Sequence, residues 1–127
     1  MTDQTTAALP VLKLGVAREP FWIDVAKGAR VQFRAITVAA ILLARSAAAD
    51  ALQAGGDGAA VKAGVAFTRS LTQSGIVAWE GIGDADGNAT DPTPDNIDAL
   101  LELWPVFDAI DRLYVGPALI QDAEKNV

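Results

Sequence analysis

The sequence predicts an α+β fold, with a small N-terminal antiparallel β element of two to three strands followed by four or five helices. Three observations predict it. Apolar and polar residues alternate over residues 29–36, just after a short Gly-containing loop. Alanine-rich stretches with helical spacing begin after Thr37. Prolines and glycines then divide the remainder into pieces too short for anything but brief helices and loops.

Residues 1–9 show no periodicity and are expected to be flexible. Residues 10–127 form one domain, with a β hairpin region over 10–36 and a helical region over 37–127. Val11-Leu12-Lys13-Leu14-Gly15-Val16 is a short β-compatible run, and residues 21–25 carry aromatic and branched side chains suited to a strand. In residues 29–36, Arg30, Gln32 and Arg34 alternate with Val31, Phe33 and Ala35, the pattern of a half-buried strand. Ala26-Lys27-Gly28 joins the last two as a hairpin loop.

Thr37 is placed to cap a helix over 38–54, with Val38, Ile41, Leu42 and Leu52 on its apolar side. Gly55-Gly56-Asp57-Gly58 breaks it. A second helix is expected from Ala59 to Trp79, with Val61, Val65, Leu71, Ile76 and Trp79 on one face. Residues 81–92 read as a loop. Thr93-Pro94 is a helix start, with a hydroxyl cap and a proline in the first turn. Asp95 and Asp98 then lie where the helix dipole favours carboxylates. Ile97, Leu100, Leu101 and Trp104 form a stripe. Pro105 divides that helix from a next one bearing Val106, Phe107, Ile110 and Tyr114, and Gly116-Pro117 is expected to stop it. A last helical segment is expected over 118–125. The charged, helix-compatible end fits a native chain that extends past Val127. There is no internal repeat.

Composition excludes whole classes of chemistry. The chain of 127 residues contains no cysteine and no histidine. Ser–His–Asp and Cys–His sites, disulfides and Cys/His zinc sites are therefore ruled out. The net charge of -6 is unevenly spread. Residues 80–127 hold eleven acids against two bases, a net -9, whereas residues 1–79 hold eight bases against five acids, a net +3. The acidic half repels phosphate backbones, which argues against nucleic acid as a partner and suits a basic protein surface. The longest apolar run, Ala35–Ala44, is about half a membrane span, so a membrane role is not expected. A cytoplasmic location is the natural expectation for a cysteine-free chain with no visible export signal.

Three polar constellations invite a chemical reading. Asp84, Asp86 and Asn88 resemble the start of a calcium loop, but Ala89 stands where that loop needs glycine and Asp95 where it needs glutamate. Gly81-Ile82-Gly83 lacks the third glycine and the setting of a phosphate-binding turn. The pairs Asp95/Asp98 and Asp108/Asp111 could in principle share acid–base work, yet solvated helix faces explain both. No catalytic, cofactor-binding or metal-ligating residue is assigned, and no cofactor is expected. Among the aromatics, Trp79, Trp104, Phe107 and Tyr114 are the candidate partner-binding residues, with core packing as the competing role for each.

The order of residues in the C-terminal half carries a resemblance. Val77-Ala78-Trp79-Glu80-Gly81-Ile82-Gly83-Asp84-Ala85-Asp86-Gly87-Asn88 is followed by Thr93-Pro94-Asp95-Asn96-Ile97-Asp98-Ala99-Leu100-Leu101. Phe107, Tyr114, Pro117-Ala118-Leu119 and Glu124-Lys125-Asn126 come after. This order resembles small prophage proteins of tail-gene clusters, grouped with tail assembly chaperones and related gene transfer agent proteins. The resemblance spans most of residues 11–126. It implies a non-enzymatic protein in the bacterial host cytoplasm that holds a tape-measure protein while the tail is built. The alternatives are a structural tail component retained in the particle, such as a connector or completion protein, and a calcium-binding regulatory domain.

Overall fold

Strand β1 (Phe21–Ala26) and strand β2 (Ala29–Phe33) pair antiparallel, with Phe21 opposite Phe33 and Ile23 opposite Val31. This is the hairpin expected from the alternation. Ile23, Val25, Val31 and Phe33 are buried, and Trp22, Asp24 and Arg30 face outward. The computed structural model describes residues 11–119. The expected flexible stretch 1–9 and the end of the last helical segment lie outside the described residues. Val11–Val16 lies inside them and forms no strand, because no neighbouring strand pairs with it.

Helix α1 (Val38–Ala54) starts at Thr37, whose Oγ1 accepts the Ala40 N–H at 3.1 Å. It packs beside helix α2 (Ala59–Gly75). The sheltered residues of α1 are mainly alanines, Ala40, Ala44, Ala47, Ala48 and Ala51, at helical spacing. Ala59, Ala63 and Ala66 recur in the same way on α2. Two seams of small side chains bring the helices together. The larger residues of α1 expected on its apolar side are consequently turned out: Val38, Leu42 and Leu52 are exposed, and Ile41 alone of that group is partly sheltered.

The second helix ends at Gly75, four residues short of the expectation. Residues Ile76–Glu80 form strand β3, which pairs antiparallel with β2 and gives the sheet order β1-β2-β3. The sheet is therefore completed from within the region expected to be wholly helical. Two physical features explain it. Branched and aromatic side chains crowd residues 76–79. Gly75 lies so close to the buried ring of Tyr114 that a side chain there would run into it. The Gly75 carbonyl then accepts the Arg34 N–H at 2.9 Å, which starts the new pairing.

Helix α3 (Pro94–Leu101) is capped by Thr93, whose Oγ1 accepts the Asn96 N–H at 3.2 Å. Its residues Ile97, Leu100 and Leu101 are buried. Helix α4 (Trp104–Ile110) follows with Pro105 in its first turn. Gly116-Pro117 does not stop it. A π-helical turn, Asp111–Val115, continues α4, and the Gly116 N–H bonds to the Asp111 carbonyl. The chain is helical on through Leu119. A proline normally collides with the carbonyl four residues before it, and the wider π turn relieves that crowding. Phe33, Val31, Leu71, Ile110 and Val115 are the largest apolar side chains fully buried in the core that the sheet shares with α2, α3 and α4.

Candidate protein-contact surface

The structure separates the four aromatic candidates. Tyr114 is only 4% exposed. Its ring stacks on Phe33 with centroids 3.9 Å apart, and its hydroxyl donates to the Arg34 carbonyl at 2.8 Å. It is a core residue that ties the π turn to the sheet. Trp79 stands opposite Val31 in the sheet, half-buried, with its Nε1 donating to the Thr90 carbonyl at 2.6 Å. It fastens the acidic loop to β3. Trp104 is 69% exposed and stacks on half-buried Phe107, ring centroids 6.3 Å apart.

Burial pushes the Tyr114 phenol up to about 12, and the opposing effect of Arg34 is smaller. Tyr114 is the sole tyrosine of the chain, so phenolate absorbance reports it alone. In the folded protein that absorbance is expected to rise only near pH 12, against about pH 10 in denaturant. The neutral phenol is the form the fold holds, so this contribution to stability is intact below about pH 10 and is lost as pH rises toward 12. A folded-state midpoint at the unfolded value would contradict the burial.

Phe107 opens onto a groove of about 280 Å3, lined also by Val65, Arg69, Asp98, Leu101 and Glu102. Its shape follows from α2. Along one face of that helix come Val61, Val65, Thr68 and Thr72. Thr68 and Thr72 are buried, with the Thr68 hydroxyl donating to Asp111 Oδ1 at 3.0 Å. Val61 and Val65 on the same face are exposed. The C-terminal half of the face is covered, and the N-terminal half continues as bare apolar surface toward Phe107. Sequence spacing marked Val61 and Val65 as apolar. It gave no sign that their cover would end before Thr68.

The groove has a fixed polar rim. Arg69 donates to both oxygens of Asp98, at 2.6 and 2.7 Å, and Gln73 Nε2 donates to Asp98 Oδ1 at 2.9 Å. The Arg69 hydrogen bonds hold the Asp98 carboxyl below its ordinary value. Both side chains are largely in solvent, so the pair adds little stability. Its two parallel bonds orient α2 against α3.

The other polar clusters serve the backbone or each other. Asp84 Oδ1 accepts the N–H groups of Asp86 and Asn88, both at 2.9 Å, which is the self-bonded turn of an Asx motif. Among the described residues, no three acidic side chains are grouped to hold a metal ion. Asp108 lies 3.6 Å from Arg112, and Asp111 is the acceptor for Thr68. On the outer sheet face, Arg30 stacks 4.2 Å above the Trp22 ring and donates to Glu80 at 2.8 Å. No helix among the described residues is long and apolar enough to cross a membrane. The chain matches no family model, no curated protein and no solved structure.

Proposed function

We propose that this protein acts through protein contacts and not catalysis, as a tail assembly protein that holds a helical partner such as a tape-measure protein. The observation that carries the reading is Trp104: a large aromatic side chain left mostly in solvent, stacked on Phe107 beside a groove lined by Val65, with Val61 exposed one turn earlier on α2. Amphipathic helices dock into such grooves by their apolar face, anchored by a few aromatic contacts. The bare side of α1, with Val38, Leu42, Leu43 and Leu52 exposed, supports the same reading, since a helix so apolar is ordinarily covered on more than one side. The acidity of residues 80–127 suits a basic partner.

Truncating residues 93–127 would not test this cleanly, because Ile97, Leu100 and Ile110 of that segment are in the core. Point substitution is cleaner. Trp104→Ala is expected to weaken capture of a tape-measure fragment at least about tenfold, the loss usual for an aromatic anchor, while leaving the melting temperature within a few degrees. Titration calorimetry against the purified fragment reads the first effect, and a thermal melt the second. Unchanged affinity in Trp104→Ala and in Val65→Ser would sink the assignment of this groove.

A further inference from the structure

Beside the acidic loop lies a second groove, of about 270 Å3, whose lining differs from that of the groove next to Phe107. Trp79 of β3, Ile82 of the loop, Ala99 and Leu100 of α3, and Leu103 just beyond α3 make its walls apolar. Leu103 is 56% exposed, a large aliphatic side chain left without cover. The loop side of the groove is held by its own hydrogen bonds. The Ile82 carbonyl accepts the Thr90 N–H at 3.2 Å, and the Asn88 carbonyl accepts the Asp84 N–H at 2.8 Å. Trp79 Nε1 holds the Thr90 carbonyl, and Asn96 Nδ2 ties the Asp91 carbonyl to α3 at 2.8 Å. A groove ordered in this way costs a ligand little to enter.

The charge around this groove is of one sign. Between Arg69 and Arg112 the sequence has nine acids and no base. Ion pairs occupy three of the acids: Glu80 with Arg30, Asp98 with Arg69 and Asp108 with Arg112. Among the described residues, Asp84, Asp86, Asp91 and Asp95 have no cationic partner, and all four are exposed. Asp84 lines the groove, and Asp86, Asp91 and Asp95 each adjoin a lining residue in the chain: Ala85, Thr90 and Asn96. An apolar slot is thus ringed by four uncompensated carboxylates.

We propose that this groove takes a basic peptide segment of a protein partner, with one large apolar side chain seated against Trp79, Leu100 and Leu103 and a lysine or arginine on each side of it. The volume sets the apolar part, since a slot of this size holds a single anchor side chain and not the face of a helix. The carboxylates set the flanks. Bases on either side of the anchor meet Asp84 and Asp86 in the loop, and Asp91 and Asp95 at the start of α3. The same charge repels nucleic acid and acidic peptides. The inference rests on the reading that the chain acts through protein contacts, and it adds a contact that does not involve Trp104 or Phe107.

The test is titration of the isotope-labelled full chain with short capped peptides, followed by nuclear magnetic resonance. Each peptide has two lysines on either side of a central leucine, methionine or phenylalanine. The chain has three tryptophans, so three indole N–H signals report three places, and Trp22→Phe and Trp104→Phe assign them. The Trp79 indole signal is expected to move on titration while those of Trp22 and Trp104 stay. Serine in place of the central residue is expected to weaken binding at least about tenfold, the loss of one buried anchor. Asp86→Asn with Asp91→Asn is expected to weaken it about threefold, and added salt more. Leu103→Ser removes part of the apolar wall at an exposed position and is expected to weaken binding by a similar factor. Melting curves like that of the wild type check that these variants fold. No binding by any of the three peptides, equal binding of the serine peptide, or a response at Trp104 in place of Trp79 would each overturn the proposal. Affinity unchanged in both the double aspartate variant and Leu103→Ser would do the same. The tape-measure titration with Trp104→Ala reads the other groove, so failure of one reading is distinguishable from failure of the other.

Discussion

Gly81→Ala is expected to cost about 3–5 kcal/mol and to lower the melting temperature by roughly 10–15 °C. Two independent causes add. Gly81 has φ +77, in the left-handed region where a side chain is strained. A Cβ at this position would also collide with the Gly28 carbonyl oxygen and lie 2.9 Å from the Gly28 carbonyl carbon. These are backbone atoms of the β1–β2 turn, which cannot swing aside as a side chain can. Either the hairpin turn or the end of β3 must move, and Arg30 opposite Glu80 is the pairing closest to the damage. Gly87 provides the control. It too has positive φ, +84, but nothing lies within 4 Å of the Cβ it would gain. Gly87→Ala should therefore show only the conformational cost, about 1 kcal/mol. Equal melting temperatures for the two variants would mean that the close approach of Gly81 to the hairpin is not a constraint.

The class of fold was legible in the sequence because its signals are local. The alternation around Val31 and Phe33 gave the hairpin. The side chains of Thr37 and Thr93 bond to backbone groups only three residues away, so their caps needed no tertiary information. The errors arose where a distant residue decides. Helix α2 gives way to β3 after Gly75 because β2, much earlier in the chain, pairs with residues 76–80. Without that contact, Ile76 and Trp79 fit a helical stripe as well as they fit β3. The passage through Gly116-Pro117 depends on a π turn, which has no sequence signature of comparable strength. The candidate surface was half legible. Trp104 and Phe107 were marked by residue type, but type alone treats Trp104 and Tyr114 alike. What separates them is that the Tyr114 hydroxyl finds the Arg34 carbonyl, 80 residues earlier in the chain. The exposure of Val61 and Val65 depends on where α3 and the π turn stop covering α2, and that is a property of packing.

Phe33→Ala is expected to destabilise the fold by about 3–5 kcal/mol, the range for emptying a buried aromatic site. Phe33 is fully buried, and it sits where the elements converge: opposite Phe21 in β1, opposite Ile76 in β3, and stacked on Tyr114 of the π turn. Removing the ring empties space bordered by strands on two sides, which limits how far the site can collapse. Out of a total stability of about 5–15 kcal/mol, this loss should leave a measurable unfolded population in denaturant titrations begun at low concentration. Phe33→Leu keeps most of the volume and should cost far less, about 1 kcal/mol, which separates filling from stacking. A cycle with Tyr114→Leu isolates the ring pair itself, for which a coupling of about 0.5–1.5 kcal/mol is expected. The Trp104 side chain projects into solvent from the far end of α4, so the Phe33→Leu variant should still bind the tape-measure fragment as the wild type does. A Phe33→Ala loss under about 1 kcal/mol would show that the sheet and the π turn are not joined through this ring.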